Sequence, residues 1–513
     1  MTIGGVAPQT PPSKIKTGVP GLDEVLQGGL PEAALYLVEG DPGSGKTTLG
    51  LQYLIQGVKN GETALYITLS ESSHELREVA QSHGWSLDQI TIHEIFSSEG
   101  FAHDEQQYTF FHAAEIELTQ TYKELGELLE RIKPRRIVLD SLSDLRIMAK
   151  NPLLLRRQIK ALKQIAERQG SVVLLLDDIV TKDYAPWQYG MDLLSVVHGV
   201  IQLTNEVTEY GSTRRCLRVV KMRGSDFYSG FNDMVIARGG LRVFARGLFF
   251  EAPVEHEDGA LVETGSVALD QMLSGGLVFG TSTLIMGQAG VGKSSLAALF
   301  VNQMVKSGLP AAVFLFDETP QSYLSRAGAL CMELSKFIQS GLLSLIKIEP
   351  SSISPGEMIA KFHEAVEVQK IKLIVIDSLD GYFNAMPTEK FLMNQLHNLL
   401  SYLAGRGVTT MLITAQHGLV DQNLRDASSF PVSYLADNLI LLRFFEAAGK
   451  MRRAIAVIKS RSRPHDEYIH EMAIVGGVGV QVGKPLAKFH GILTGTPTYL
   501  GPVEELLRDK GDN

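Results

Sequence analysis

An eight-residue glycine-rich motif occurs twice in this 513-residue chain, and no other feature constrains its fold as strongly. The first copy spans Gly40–Thr47 and the second spans Gly287–Ser294, and both read G-x-x-x-x-G-K-[ST]. An apolar run typical of a strand precedes each copy, and a helical pattern follows it. In this setting the glycines turn backbone N–H groups toward phosphates, the lysine reaches the β- and γ-phosphate oxygens, and the hydroxyl ligates Mg²⁺. The motif therefore predicts two nucleotide sites.

The two motifs belong to a longer internal repeat. Lys46 and Lys293 are 247 positions apart, and the same offset superposes Thr17–Asp23 on Thr264–Asp270. Two anchors with one offset indicate a duplication. Short apolar strands alternate with helices in each half, which is typical of a parallel sheet covered on both faces. We expect an α/β chain with a flexible N-terminus at 1–14, domains at 15–250 and 251–500, a linker near 251–258, and a short tail at 501–513.

Composition limits the class of protein. The formal net charge is −9 and the pI is about 5.9, whereas a dominant nucleic-acid surface normally gives a basic excess. The two cysteines, Cys216 and Cys331, fall one in each half and suggest reduced thiols rather than a disulfide framework. No apolar run reaches the roughly 18 residues needed to cross a bilayer. We expect a soluble cytoplasmic protein with no membrane and no nucleic-acid partner.

Two acidic positions are suited to the magnesium shell of the nucleotide. Asp140 and Asp377 each end an apolar strand and are each followed by Ser-Leu. A phosphate loop needs such an acid at the end of a neighbouring strand. A carboxylate there is unfavourable unless it is paired or bound to a metal, so we interpret both as magnesium ligands rather than solvated turn residues.

A second set of acids follows the second strand of each half. These are Glu71 in the first half and Asp317 with Glu318 in the second. A carboxylate at this place can activate the attacking water or hydroxyl. The alternative is that these stretches only cap the next helix, which Ser72 or Thr319 could do. We favour the catalytic interpretation, because these strands should end beside the phosphate loop.

In combination, these motifs resemble the KaiC family, the tandem RecA-like ATPases known from the cyanobacterial clock. The resemblance covers essentially the whole chain and is carried by TGVPGLDEVLQGGL, both phosphate loops, ITLSES, SHGW, KMRGS at 221–225 and KSRSRPHDE at 459–467. It implies two RecA-like P-loop domains, each a largely parallel sheet with helices on both faces. It also implies a homo-hexameric double ring that uses ATP and Mg²⁺, with the ATP bound between subunits.

The resemblance also implies a set of site residues. A Lys-x-Arg element contacts ATP across the subunit interface in the family, and a cation reaching the γ-phosphate from a neighbour would couple hydrolysis to ring geometry. A basic edge strand is the alternative interpretation. The implied nucleotide-binding residues are Gly43, Ser44, Gly45, Lys46, Thr47, Thr48, Ser82, Lys221, Met222, Arg223, Ser225, Ala289, Gly290, Val291, Gly292, Lys293, Ser294, Ser295, Lys459, Ser460 and Arg461. The implied metal ligands are Thr47, Asp140, Ser294, Asp317 and Asp377.

The chain departs from the family pattern at two places. The family has two adjacent glutamates beside each γ-phosphate, and Ser70 replaces the first of them in the first half. We expect this loss to affect hydrolysis rather than ATP binding. The family's two phosphoacceptors precede an aspartate, and alignment on Asp437 gives Ser433 and Tyr434 for those positions. The alternative for both is packing at a subunit interface.

These expectations favour an ATP-hydrolysing protein that autophosphorylates in its second domain and acts as a hexameric signalling or timing switch. Two alternatives stay open: a nucleotide-gated scaffold with little turnover, and a RecA-like DNA motor. The motor would need basic grooves with stacking aromatics, which the sequence does not show. A KaiB-like partner stays open, whereas a KaiA-type partner is not expected because only about a dozen residues follow Leu500.

Overall fold

The protein is described from a computed structural model. The structure describes residues 13–95, 124–149, 152–178, 191–206, 213–245, 259–349, 353–384, 392–415, 432–447, 449–493 and 497–501. The chain divides into two compact units, Met1–Gly247 and Leu248–Asn513. The predicted linker at 251–258 and all but the first residue of the predicted tail lie outside the described residues.

The first unit is built on one large sheet. Its strands are β1 (Lys14–Ile15), β2 (Leu30–Pro31), β3 (Leu35–Gly40), β4 (Ala64–Thr68), β5 (Thr91–Glu94), β6 (Arg136–Asp140), β7 (Val172–Asp178), β8 (Gly199–Glu206), β9 (Arg214–Met222), β10 (Phe231–Ala237) and β11 (Gly240–Phe244). Its helices are α1 (Leu22–Val25), α2 (Lys46–Lys59), α3 (Ser73–Ser82), α4 (124–132), α5 (Leu142–Ala149), α6 (Pro152–Gln169) and α7 (Met191–Leu194).

Nine of these strands form the sheet, in the order β11-β10-β9-β8-β3-β7-β6-β4-β5. The strands from β8 to β5 are parallel, and β9, β10 and β11 extend the sheet in antiparallel fashion. Successive side chains of a strand point to opposite faces. Tyr36 and Val38 accordingly pack into one buried cluster, and Leu35 and Leu37 pack into another on the other face.

The second unit repeats this plan. Its strands are β12 (Leu261–Val262), β13 (Leu277–Val278), β14 (Ser282–Gly287), β15 (Ala311–Leu315), β16 (Leu343–Lys347), β17 (Leu373–Asp377), β18 (Thr409–Ala415), β19 (Asn438–Ala447), β20 (Lys450–Ser460), β21 (His470–Val475), β22 (Gly479–Pro485), β23 (Phe489–His490) and β24 (Thr498–Tyr499). Its helices are α8 (Val267–Met272), α9 (Lys293–Lys306), α10 (Pro320–Ala329), α11 (Ser335–Gln339), α12 (Pro355–Glu367), α13 (Leu379–Asn384) and α14 (Leu392–Gly405).

Its large sheet has nine strands in the order β16-β15-β17-β18-β14-β19-β20-β21-β22. The six strands from β16 to β19 are parallel, and the last three are antiparallel. Two buried clusters cover the two faces, as in the first unit. The predicted α/β architecture of two largely parallel sheets with helices on both faces is confirmed.

The two units keep the sequence offset in their local structure. The offset is 247 between β3 and β14, between α2 and α9, and between α3 and α10. It changes to 237 at β6 and β17 and keeps that value at β7 and β18. Each residue of the first site therefore has a defined counterpart in the second.

One strand assignment from the sequence is wrong. From the sequence, the run Val196–Leu203 is interpreted as the first of three antiparallel strands at the end of the sheet. In the structure this run forms β8, which lies parallel to β3, and the antiparallel part of the sheet begins only where β8 pairs with β9. An apolar run shows that a strand is buried, but its direction depends on pairing with distant residues. In the part of the chain that the structure describes, no helix is both long and apolar enough to cross a membrane.

Candidate nucleotide sites

Each phosphate loop connects a central strand to a helix through glycines in the left-handed region. Gly45, the residue before α2, has φ of 103°, and Gly292, the residue before α9, has φ of 112°. A Cβ on Gly45 would lie 2.6 Å from Ile236 Cδ1, and one on Gly292 would lie 2.3 Å from Ile474 Cδ1. Both the conformation and the space therefore require glycine. Among the described residues no side chain caps either helix, so the first N–H groups stay available for an anion.

The loop lysines lie folded back over their own loops. Lys46 Nζ donates to the carbonyl of Gly40 at 2.9 Å and to that of Asp41 at 3.0 Å. Lys293 makes the equivalent bonds to Gly287 and Gln288 at 2.7 and 2.9 Å. The ammonium groups thus lie at the mouths of the loops, where the phosphates of a nucleotide would bind.

The first lysine has a further partner. Asp178, at the end of β7, lies with Oδ1 2.6 Å from Lys46 Nζ. Its counterpart in the second unit is Ala415, which has no charge. Burial lowers the pKa of Lys293. A nucleotide that binds Lys46 must therefore displace the carboxylate of Asp178. A nucleotide that binds Lys293 does not have to displace an equivalent carboxylate, because Ala415 stands at that position.

The strand-end acid of the first unit lies against the loop hydroxyl. Thr47 Oγ1 donates to Asp140 Oδ2 at 3.3 Å, and the hydroxyl of Tyr66 on β4 donates to the same oxygen at 2.6 Å. Burial is the main cause of the raised pKa of Asp140, and the two hydrogen bonds oppose it. A hydroxyl and a carboxylate are ligands that Mg²⁺ accepts, together with phosphate oxygens and water.

The second unit has the corresponding pair, Ser294 and Asp377, but with fewer hydrogen bonds to the carboxylate among the described residues. Burial raises the pKa of Asp377 to about 6, and a hydrogen bond from Ser294 opposes that shift. Asp377 Oδ2 is buried and has no hydrogen-bond partner among the described residues, and the same is true of the Tyr323 hydroxyl. A buried unpaired carboxylate oxygen is unfavourable without a cation or donor. The donors in both units therefore fit a magnesium ion that also binds the nucleotide phosphates.

Glu71 is not used to cap the helix that follows it. Ser72 caps α3, and Glu75 completes the capping box, so the carboxylate of Glu71 has no role there. Its Oε2 atom is buried without a hydrogen-bond partner within the described residues. Burial first, and then the charges of Asp140 and other acids, raise the pKa of Glu71 to about 7. A carboxyl group with this pKa can exchange a proton at neutral pH.

Glu318 occupies the same place in the second unit but is fully paired. Arg326 Nη1 and Nη2 donate to its two carboxylate oxygens, each at 2.7 Å. The position of Arg326 in the first unit is taken by Val79. Asp317 accepts a hydrogen bond from the hydroxyl of Ser378, the residue that follows the strand-end acid. The second unit thus carries both acids of the predicted pair, one of them neutralised by an arginine.

A family model described as the KaiC ATPase matches the chain twice, over residues 15–247 and 262–487. These matches span most of both units. The chain belongs to the KaiC ATPase family. The resemblance seen in the sequence motifs is thereby confirmed, with the tandem RecA-like fold and the ATP-binding function that the family implies.

Relatives with curated names are similar over nearly their whole length. The chain is 26% identical over 504 residues to circadian clock protein KaiC3 of Synechocystis sp., covering 96% of each chain. It is 27% identical over 504 residues to circadian clock protein KaiC2 of the same organism, covering 96% of this chain and 85% of that protein. It is 24% identical over 492 residues to circadian clock oscillator protein KaiC of Synechococcus elongatus, covering 95% and 92%.

In this KaiC-family chain, the first Lys-x-Arg element lies at the edge of the sheet opposite the phosphate loop of its own unit. Met222, at the end of β9, pairs with Gly199, the first residue of β8. The residue of β8 that pairs with Gly40, beside the loop, is Leu203. Lys221 Nζ donates to the backbone carbonyls of Leu194 and Val197, and Arg223 Nη2 donates to that of Ser195.

The second element has the same position. Lys459 and Ser460 pair with the first two residues of β19, whereas Gly287 beside the loop pairs with Leu442 further along that strand. Lys459 Nζ donates to the carbonyls of Ser433 and Ala436 at 3.0 and 2.6 Å. Arg461 Nη2 donates to the carbonyl of Tyr434 at 2.9 Å. The two predicted acceptors thus belong to a single 3₁₀ turn, Val432–Tyr434, whose carbonyls these cations hold.

The remaining predicted nucleotide contacts differ in accessibility. Ser44, Thr48, Val291 and Ser295 are buried under the loops, and Gly43, Ala289 and Gly290 are exposed at the loop tips. Three other predicted contacts lie away from the phosphate loop of their own unit. Met222 is buried in the core, Ser82 donates to the carbonyl of Val79 at the end of α3, and Ser225 donates to that of Asp226.

Sequence reasoning missed three residues of the sites: Tyr66, Asp178 and Arg326. Asp178 carried the signal that identified Asp140, an acid ending an apolar strand. Arg326 could be found by comparing the two halves at offset 247, where an arginine replaces Val79. The contact of Tyr66 with Asp140 had no sequence signal, since it depends on the pairing of β4 with β6.

Proposed function

We propose that this KaiC-type ATPase hydrolyses ATP at both phosphate loops, transfers phosphate to Ser433 or Tyr434, and works as a homo-hexameric switch with ATP shared between subunits. The first and second ATPase domains would span residues 15–250 and 251–500. The timing or signalling output rests on the names of the relatives, which are circadian clock proteins. A KaiB-like protein fits such an output as a partner.

One observation carries the shared site: each Lys-x-Arg element lies a full strand length from the phosphate loop of its own unit. The strand that leads to each loop, β3 or β14, has six residues, which corresponds to roughly 20 Å at about 3.3 Å per residue. A lysine or arginine side chain reaches much less than this. These cations can therefore approach a γ-phosphate only in another copy of the domain, as in a ring of subunits.

The same register argues for transfer between subunits. Ser433 and Tyr434 are exposed, and they lie beside Lys459 and Arg461 rather than beside the loop of their own unit. A γ-phosphate that contacts Lys459 and Arg461 would therefore also lie close to the hydroxyls of Ser433 and Tyr434. Ser433 is the better candidate, since the phenol of Tyr434 lies farther from its backbone.

The residues of each site divide the chemistry in a defined way. When bound, Mg²⁺ would neutralise charge on the β- and γ-phosphates, and Thr47 with Asp140, or Ser294 with Asp377 and Asp317, would hold it. In hydrolysis an O–P bond forms from water to the γ-phosphorus, the bond to the ADP oxygen breaks, and the water proton passes to a carboxylate. In the first site the carboxylate of Glu71 would accept that proton, and in the second site the carboxylate of Asp317 or Glu318 would accept it.

A scaffold with little turnover is the second candidate, and one observation favours it in the second unit. Both carboxylate oxygens of Glu318 are held in a bidentate ion pair with Arg326, so neither can accept a hydrogen bond from an attacking water until that pair opens. In that case ATP would assemble the ring without rapid consumption.

Purified protein incubated with Mg²⁺ and γ-labelled ATP tests the proposal. Phosphate release and phosphopeptide mapping are followed beside Ser433→Ala and Lys293→Ala. Label on 430–437 that is lost in both variants is expected. ATP consumption without labelled protein would leave an ATPase without autokinase activity, and assembly with neither would leave a scaffold.

A further inference from the structure

The sites of the two units are chemically matched at positions where their sequences differ. For the residues that follow the strand-end acids in sequence, equivalent positions in the two units are 237 residues apart. In the first unit Ser143 Oγ donates to Asp177 Oδ1 at 2.7 Å, whereas in the second Thr414 Oγ1 donates to Asp380 Oδ1 at 3.0 Å. Asp380 is the counterpart of Ser143, and Thr414 is that of Asp177. The hydroxyl and the carboxylate have exchanged places across the same hydrogen bond.

A second exchange concerns the carboxylate missing at Ser70. In the second unit the hydroxyl of Ser378 donates to Asp317, the counterpart of Ser70. In the first unit the hydroxyl of Ser141, the counterpart of Ser378, donates instead to Asp144 Oδ2. The serine that follows the strand-end acid therefore donates to a carboxylate in both units. In the first unit that carboxylate is Asp144, in helix α5, and in the second it is Asp317, which follows strand β15.

The second unit has little space for a side chain at the position of Asp144. Gly381 is the counterpart of Asp144, and a Cβ built on it would lie 2.4 Å from Phe316 Cβ and 3.2 Å from Asp317 Oδ1. A side chain there would therefore crowd Phe316 as well as the carboxylate of Asp317. The first unit has Ser70 with Asp144 and the second has Asp317 with Gly381, so one of these two positions carries a carboxylate in each unit.

We propose that Asp144 is a positioning residue of the first ATP site, where it supplies the carboxylate that Asp317 supplies in the second. Its carboxylate accepts a hydrogen bond from the hydroxyl of Ser141, the residue after Asp140, and so places negative charge beside the predicted magnesium ligand. The first site then has two acids, Glu71 and Asp144, despite the serine at position 70. The inference rests on the proposed ATPase function of this site.

A purely structural role makes a different prediction. Asp144 N also donates to Ser141 Oγ, at 3.3 Å, so Ser141 caps the start of α5 and the carboxylate of Asp144 holds the hydroxyl of that cap. Removal of Asp144 would weaken that cap whatever the nucleotide does. A carboxylate returned at position 70 can hold the hydroxyl of Ser141 as Asp317 holds that of Ser378, and so restore the charge, but it cannot remove the cost of a glycine in α5.

The experiment compares three chains in a Lys293→Ala background, which silences the second site: the parent, Asp144→Gly, and Asp144→Gly with Ser70→Asp. Two quantities are measured, the Mg²⁺ concentration for half-maximal binding of a fluorescent ATP analogue and the first-site turnover. Asp144→Gly should raise that Mg²⁺ requirement and lower turnover, each by roughly 10- to 100-fold. The added Ser70→Asp should recover most of both.

Thermal melting of the same chains separates charge from folding. If the double variant still melts below the parent but binds the Mg²⁺ nucleotide like the parent, the positioning role is supported. An unchanged Mg²⁺ requirement in Asp144→Gly, or no recovery in the double variant, would overturn it. If Asp144→Gly does not fold, Asp144→Asn is used, with the same expected loss. A parent that binds nucleotide but does not hydrolyse it would count against the proposed ATPase function, while the binding measurement would still test Asp144.

Discussion

Glu71 and Glu318 occupy the same position in the two repeats but lie in opposite electrostatic surroundings. Glu71 is half-buried among acids and its Oε2 atom has no hydrogen-bond partner in the part of the chain that the structure describes, whereas Glu318 is held by both terminal guanidinium nitrogens of Arg326. Both oxygens of Glu318 already accept hydrogen bonds from Arg326, whereas Glu71 Oε2 is available to a water. The two sites are therefore expected to hydrolyse ATP at different rates, with the first site the faster.

Exchange of the residue beside each glutamate tests this difference. Arg326→Val, in a Lys46→Ala background that silences the first site, should raise second-site turnover by about 10-fold, since the oxygens of Glu318 then become available to the attacking water. Val79→Arg, in a Lys293→Ala background, should lower first-site turnover by a similar factor. Arg326→Lys keeps a cation and is the matched control. Equal turnover in Arg326→Val and Arg326→Lys would count against the role of the ion pair.

The raised pKa of Glu71 predicts a pH dependence. A base must be deprotonated, so first-site turnover in the Lys293→Ala background should rise as the pH passes through about 7. Glu71→Gln should remove this rise together with most of the turnover. Steady-state rates between pH 5.5 and 8.5 provide the measurement. A flat profile in the chain that retains Glu71 would show that another group accepts the proton.

The same shift predicts an effect on stability with a definite sign. The carboxyl of Glu71 has a pKa of about 7 in the folded chain, above its ordinary value of 4.5, so folding favours the protonated form. This contribution is fully present below pH 4.5 and is lost as the pH rises through about 7. Glu71→Gln should therefore raise the melting temperature relative to the unchanged chain at pH 8 and leave it similar at pH 4.5. A lower melting temperature at pH 8 would contradict the assignment.

At this scale the sequence predicted which residues lie together at the phosphate loops but not their hydrogen-bond and ion-pair partners. Lys46, Asp140 and Glu71 were found from their spacing relative to strands and loops. The Asp178 ion pair and the Arg326 clamp were missed, because each joins elements that are distant in sequence. The capping alternative proved compatible with the catalytic one, since Ser72 and Thr319 cap their helices and leave Glu71 and Glu318 outside the caps.

At the scale of elements, the conformation of each phosphate loop requires the glycine directly before its helix. Gly292→Ala should greatly weaken ATP binding and destabilise the second unit, because a Cβ would meet Ile474 and the left-handed conformation alone costs about 1–2 kcal/mol. Gly308→Ala is a matched control, since Gly308 follows the other end of α9 with φ of 78° and a Cβ there meets nothing within 4 Å. Titration with a fluorescent ATP analogue and thermal melting distinguish the two variants. Equal binding by both would contradict the requirement for open space at Gly292.

The elements near the loops were predictable because their patterns are local. A buried apolar strand, a glycine loop and an amphipathic helix can each be recognised from a few neighbouring residues, and β3 with α2 and β14 with α9 follow that pattern. The far side of each sheet was less predictable. The apolar run of β8 did not show its direction, because the antiparallel extension of each sheet depends on pairing between strands rather than on composition.

At the scale of the whole molecule, the central claim is that each ATP is shared between two copies of the chain. The Lys-x-Arg elements and the predicted acceptors lie at the sheet edge opposite the loop of their own unit. Replacement of Lys459 and Arg461 by alanine should therefore reduce second-site turnover and labelling without blocking ATP binding to the second loop itself. Binding and turnover measured on the same double variant would separate the two effects.

Subunit mixing tests this claim most directly. Chains with Lys293→Ala, which retain both acceptors but lack a working second loop, are isotopically marked and co-assembled with chains carrying Ser433→Ala and Tyr434→Phe, which retain the loop but lack acceptors. After incubation with Mg²⁺ and γ-labelled ATP, a shared site should give labelled phosphate on segment 430–437 of the Lys293→Ala chains, although neither chain is labelled there alone. No label in a mixture shown to have co-assembled, while the unmodified chain is labelled on that segment, would contradict the shared site, because transfer would then depend on a loop and an acceptor in the same chain.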